Sequence, residues 1–299
     1  MTTRVAEGIR RWRPHTTERI ERALDASRAG VLLVGARGSG LADLVVVAAQ
    51  YLTCPRGGCG ECSVCSAVAE GRHPDVRILS DTPSIADVRA LVAHARQSAD
   101  RWRIAGLVGI ERMASVAPVV LKALEEPGPR TRWLLAASAI PPELTAMASR
   151  CVRVQVDPPS AAEIEAAVAD AGIELSPRLL ALVPRDLELV HTLGSVPEPG
   201  TWLERWAALA TGAAHAHPAQ IAASLRPPSS LPAPTQEALV RLGLAVAIRA
   251  NPMDASWGQA VRRASGSLAR RLSIGLVLAE LVLERPTPAH GYTGRSAPG

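Results

Sequence analysis

Cys54, Cys59, Cys62 and Cys65 stand in C-x4-C-x2-C-x2-C spacing, with glycines at 57, 58 and 60 to turn the chain tightly between them. Four thiolates so close in sequence can close a tetrahedral Zn2+ site in which protein fills every coordination position. Such a metal is structural and does not activate water. Free surface thiols in a glycine-rich loop are the plainer alternative, but exposed thiols are reactive and a liability. Cys151, far off in the chain, reads as a small buried side chain rather than a ligand. In a reducing compartment these five cysteines form no disulfide framework.

A second constellation lies just before the cysteines. Gly35-Ala36-Arg37-Gly38-Ser39-Gly40-Leu41-Ala42 follows the apolar run Val31–Val34 and opens a helical pattern. Strand, glycine-rich turn and helix are the context of a phosphate-binding loop, whose pattern ends in Gly-Lys-Ser/Thr. Gly35 and Gly40 keep the spacing, but Leu41 stands for the lysine and Ala42 for the hydroxyl residue. The lysine supplies charge to the β- and γ-phosphates and the hydroxyl holds Mg2+. Neither an isobutyl nor a methyl group can do either. Asp43 adds a negative charge in the first helical turn, which suits the helix dipole but repels phosphate. Glycine-rich strand-to-helix turns are common in α/β proteins, so the loop alone does not decide.

The 299 residues suffice for two or three domains with their own cores. Phe is absent and Lys122 is the only lysine, so positive charge is nearly all arginine, as a GC-rich coding bias produces. A net charge of +5 permits nucleic-acid contact without demanding it. The first fourteen residues lack the apolar core of a signal peptide. Ile274 to Val282 is too short to span a bilayer and carries Glu280. The expectation is a cytoplasmic protein without membrane contact.

The elements that must position these residues alternate. Strands are predicted at Val31–Val34, Val76–Leu79, Ile104–Val108, Arg132–Ala136 and Val152–Val156, and helices at Thr17–Ala29, Leu41–Thr53, Ile85–Ser98 and Ser115–Glu126. Ser115 is a candidate cap for the last helix, with Pro118 in its first turn and Pro127 beyond its end. The pattern implies a parallel sheet with helices. Residues 1–157 read as an α/β domain carrying the cysteine module 54–65. A small helical domain over 158–198, an all-helical domain over 199–285 and a disordered tail over 286–299 follow.

Further short motifs appear in order. They are His73-Pro74-Asp75-Val76, Ile85-Ala86-Asp87-Val88-Arg89, Leu121-Lys122-Ala123-Leu124-Glu125-Glu126-Pro127 and Ser149-Arg150-Cys151. With the loop and the cysteines, they resemble the bacterial clamp-loader subunits of DNA polymerase III, within the AAA+ ATPases, over about residues 30–157. The resemblance implies a parallel-sheet AAA+ domain with an inserted zinc module, then a helical lid and a helical collar. It also implies partners: gamma/tau ATPase subunits and the delta subunit, with primed DNA and the sliding clamp reached through the complex. Aligning Glu111-Arg112-Met113 with the family's acidic-Arg-Met puts Val108 and Gly109 at the Walker B acids, and sensor 1 retains only Ser138. Together with Leu41 and Ala42, these losses resemble the non-hydrolysing delta-prime group rather than gamma and tau. By the same resemblance Arg150 acts as an arginine finger in trans, on phosphate bound by a neighbouring subunit. The bland alternative is a surface arginine capping a helix and paired with a carboxylate. Two other readings compete: an ATPase with an altered loop, and a zinc-stabilised DNA-binding or adaptor protein on an inactive AAA+ scaffold. The second would need a basic face or an aromatic-basic stacking set, for which Trp12, Trp102 and Trp133 have arginine neighbours.

Overall fold

The computed structural model describes residues 3–80, 83–214 and 216–286. Two compact units share the chain. One comprises the residues up to Ala171 together with Arg185–Glu188; the other comprises Gly172–Pro184 and the residues from Leu189 on.

The first unit is built on five parallel strands. In chain order its elements are α1 (Thr3–Trp12), α2 (Pro14–Ala26), β1 (Gly30–Gly35), α3 (Leu41–Thr53), α4 (Ser63–Ala69), β2 (Val76–Leu79), α5 (Ile85–Ala95), β3 (Arg103–Val108), α6 (Ala117–Glu125), β4 (Thr131–Ala137), α7 (Thr145–Ala148), β5 (Val152–Val156) and α8 (Ala161–Asp170). The strand order is β2-β3-β4-β1-β5, all pairs parallel, with β1 held between β4 and β5. Every residue of β1 is buried, as expected of a strand covered on both faces. Val31 and Leu33 enter a core with α3, whereas Leu32 and Val34 enter a second core with α5 and α6. The unit is therefore a three-layer α/β/α arrangement.

All five expected strands are present, each within a residue of its predicted ends. The first helix differs. It spans Pro14–Ala26 instead of Thr17–Ala29, because Pro14 starts it at N1 and Ser27 ends it, its hydroxyl donating to the carbonyl of Gly30 at 2.8 Å. The helix expected over Ile85–Ser98 stops at Ala95. Ser115 does not cap α6: it lies in a 3-10 turn, and the helix starts after Val116 without a side-chain cap. Ser160 does cap α8, in a capping box with Glu163.

The second unit is helical: α9 (Pro177–Leu182), the larger part of α10 (Leu187–Leu193), α11 (Pro199–Ala210), α12 (Pro218–Leu225), α13 (Ala233–Ala250), α14 (Ala255–Ala269) and α15 (Ile274–Leu283). Trp202 and Trp206 of α11 meet edge to face, ring centroids 5.8 Å apart. Gly243 lets α13 approach that pair, since a Cβ there would fall 2.1 Å from the Trp206 indole. No helix among the described residues is long and apolar enough to cross a membrane. Beyond Pro286 the expected tail lies outside the described residues.

Candidate metal centre and phosphate loop

The four cysteines come together as their spacing requires. Their sulfurs all lie within 4.8 Å of one another, with Cys54 Sγ 3.6 Å from that of Cys62 and 3.8 Å from that of Cys59. A tetrahedral Zn2+ with Zn–S bonds of about 2.3 Å sets its sulfurs about 3.8 Å apart, so the donor set fits that ion. Cys54 ends α3 and Cys62 caps α4. Between them Gly57, Gly58 and Gly60 take left-handed backbone, which an L side chain resists. Backbone N–H groups point at sulfur: that of Arg56 donates to Cys54 at 3.3 Å and that of Cys65 to Cys62 at 3.4 Å. Burial raises the Cys54 pKa, but donors from Cys59, Arg56 and Gly58 outweigh it and bring the thiol down to about 6. The Cys65 N–H lowers Cys62, while burial pushes Cys65 upward. Gln50 fastens the module to α3, its amide donating to the Cys65 carbonyl at 3.0 Å. Cys151 is half-buried elsewhere, its thiol pushed up to about 12 by burial.

The phosphate loop leaves the C-terminal end of β1, with Gly38 and Gly40 at φ 82° and 74°. Both glycines take left-handed backbone, but the loop is covered. Gly38, Ser39, Gly40 and Leu41 are all buried. The cover comes from a distant segment of the chain: the amide of Leu187 donates to the Gly38 carbonyl at 2.8 Å. The Asp186 carboxyl carbon lies only 2.4 Å from where a Gly38 Cβ would stand, and a Leu187 methyl 2.9 Å from a Cβ on Gly40. Asp43 is nearly fully buried in the first turn of α3; burial, then the charge of Glu188, push its carboxyl up to about 7. Burial likewise raises Glu188.

Arg13, which sequence reasoning passed over, ties this loop down. Only 2% exposed, its guanidinium donates to the carbonyls of Ser39 and Asp157, each at 2.7 Å, and to Glu163 at 3.1 Å. Its one visible signal was its place before the Pro14 helix start. At the end of β3, Val108 and Gly109 hold no acid. The neighbouring Glu111 accepts from the Ser138 hydroxyl at 2.9 Å and its amide at 3.2 Å, so these two polar groups satisfy each other.

Arg150 lies on the surface after α7. It donates to Glu125 of α6 at 2.5 Å and to the Ala146 carbonyl at 2.7 Å. The tryptophans are engaged. Trp12 donates to Asp170 at 3.3 Å, Trp133 is fully buried, and Trp102 lies under the Arg132 guanidinium, 3.9 Å from its ring centroid.

Residues 13–160 match the family described as DNA polymerase III, delta subunit. The DNA polymerase III subunit delta' of Haemophilus influenzae is 32% identical over 133 residues, 40% of this chain and 40% of that protein. The subunit of the same name from Pseudomonas aeruginosa is 35% identical over 167 residues, 50% of this chain and 51% of that protein. Over the α/β unit the chain is thus similar to DNA polymerase III delta' subunits. The chain spans about half or less of the length of these relatives. A solved structure, a gamma subunit-related protein of Thermotoga maritima, superposes with a TM-score of 0.51 over 90% of this chain and 97% of its own, at 16% identity. At that identity the likeness concerns the fold alone, and it agrees with the expected parallel sheet covered by helices.

Proposed function

We propose that the chain is a non-hydrolysing clamp-loader subunit of the delta-prime kind, working in the cytoplasm beside gamma/tau ATPase subunits and the delta subunit. Through that complex it supports ATP-dependent loading of the sliding clamp on primed DNA. The observation that carries the reading is the covered phosphate loop. Leu41 and Ala42 replace the groups that hold phosphate and Mg2+, and Asp186 and Leu187 lie against Gly38 and Gly40. A carboxylate beside the loop opposes phosphate by charge, and an apolar side chain opposes it by displacing water and donors. Purified protein should show no micromolar binding in MgATP titration calorimetry and no turnover. Hydrolysis that disappears on mutating the loop would overturn the reading.

Three further features support it. The thiolate set suits a structural Zn2+, held by Cys54, Cys59, Cys62 and Cys65. Leu272, Leu276 and Leu283 are exposed along α15 and the turn before it, an apolar strip suited to association through a helical collar over 199–285, with 158–198 as the lid. Arg150 is exposed, and its ion pair with Glu125 is the weak surface kind that a phosphate can displace. In the assembled complex, Arg150→Ala should leave assembly intact and lower DNA-stimulated ATPase activity only in part, because one site alone borrows this arginine. At that site, loss of a finger costs on the order of a thousandfold in rate. Arg150→Lys should not restore it fully, since an ammonium lacks the bidentate fork. Unchanged ATPase and clamp-loading rates would reduce Arg150 to a helix-capping side chain.

A further inference from the structure

The edge of the sheet opposite the phosphate loop carries an arginine cluster that the subunit reading does not use. The segments entering β1, β3 and β4, neighbours in the sheet, bring Arg28, Arg101, Arg130 and Arg132 to that edge. Hydrogen bonds knit these segments together. Arg132 donates to the carbonyl of Arg28 at 3.0 Å, the Arg103 amide donates to the carbonyl of Arg130 at 2.8 Å, and Arg130 donates to the carbonyls of Ala99 and Asp100. Arg28, Arg101 and Arg130 are exposed and Arg132 is half-exposed.

Their charge is not neutralised. Among the described residues, the arginines within ion-pair distance of a carboxylate are others, including Arg103, which is paired with Asp75 at 2.8 Å. Of the acids nearest in sequence, Asp25 accepts from Tyr51 at 3.0 Å, and Asp100 offers its carbonyl rather than its carboxylate to Arg130. Like charges gathered on one edge raise the local potential, and a charged partner is what relieves it.

We infer that this edge is a binding surface for the phosphodiester backbone of nucleic acid, read without regard to base sequence. Guanidinium forks pair with phosphate oxygens, and the segments that lead into three neighbouring strands, spaced about 4.8 Å apart, bring these side chains to one edge. The surface lacks the apolar anchor on which a protein partner relies. Its one aromatic among the described residues, Trp102, is half-buried, with Arg132 over its ring and the core against it, so it offers little open ring to a base or a peptide side chain. What remains is charge, and a polyanion carrying one negative charge per repeat matches it.

The inference does not depend on the subunit reading, because the isolated chain suffices to test it. Arg28→Glu/Arg101→Glu changes two exposed side chains that hold no other element in place. Arg178→Glu/Arg262→Glu makes the same charge change on the helical unit. Fluorescence anisotropy with labelled single-stranded and duplex 30-mers follows binding across a salt series. Arg28→Glu/Arg101→Glu should weaken binding at least tenfold near 50 mM salt and reduce the slope of log K against log salt by about 1.5. Arg178→Glu/Arg262→Glu should leave both nearly unchanged. Equal losses in the two double variants would show that net charge alone acts. No loss in the first, or displacement of the DNA by polyglutamate at equal charge concentration, would also overturn the assignment.

Discussion

The cysteine knuckle and the phosphate loop lie at the two ends of one helix, α3, and they have opposite fates. In the knuckle every residue that the chemistry demands is present, and the backbone gathers the four sulfurs within 4.8 Å. In the loop the strand, glycine turn and helix are present, but Leu41 and Ala42 stand where a phosphate loop carries lysine and a hydroxyl, and Asp186 and Leu187 cover the turn. A metal site is defined by ligand atoms, so its loss or retention shows in residue types. A phosphate cradle is made of backbone amides, so its shape can outlive its use.

The sharpest way to break this comparison is to remove the metal ligands. Cys62→Ser should lower bound zinc from about one ion per chain to near none by elemental analysis. It should also drop the melting temperature of the α/β unit by at least about 10 °C, because metal binding there is folding free energy. Metal-free protein of unchanged stability would dissolve the contrast.

A smaller effect should follow at the loop. Arg13→Ala removes the buried guanidinium from two carbonyls and Glu163 and should cost roughly 3 kcal/mol in denaturant unfolding. A cost below about 1 kcal/mol would mean that the loop does not rely on that tie.

Glycine replacements compare the two regions directly. Gly57 in the knuckle and Gly38 in the loop both have positive φ, but nothing lies within 4 Å of a Cβ on Gly57, whereas Asp186 blocks one on Gly38. Gly57→Ala should cost about 1 kcal/mol and Gly38→Ala roughly 2–4 kcal/mol, the excess measuring the cover on the loop. Equal costs would show the cover to be loose.

The smallest effect is on pH dependence. Asp43 has its carboxyl pushed up to about 7 in the folded protein, above the unfolded value near 3.9. Its protonated form therefore favours folding, a contribution complete below about pH 4 and lost as pH rises through 7. Asp43→Asn should raise the melting temperature by a few degrees at pH 8 and by less at pH 5. The reverse order would mean that the carboxylate is stabilised where it lies.

Much of the molecule was written along the chain. Apolar runs of β-branched and aliphatic residues specify buried parallel strands by composition alone, and all five stand where the runs do. The cysteine spacing determined its own geometry because ligands, turns and helix ends lie within one short segment. Leu41 and Ala42 declared by type alone that the groups for phosphate and Mg2+ are missing.

Helix ends were less legible. Ser115 has the right chemistry for a cap, but the chain enters α6 through a 3-10 turn that packs Val116 into the core, and burial outweighed the hydroxyl. Four things required the tertiary structure: the cover of Asp186 and Leu187 over the loop, the tie made by Arg13, the Glu125 partner of Arg150, and the arginine row on the far edge. Each joins residues remote in sequence, with a spacing that carries no period or motif. Local sequence fixes what a segment can become; only the packed chain decides which distant side chain fills the space beside it.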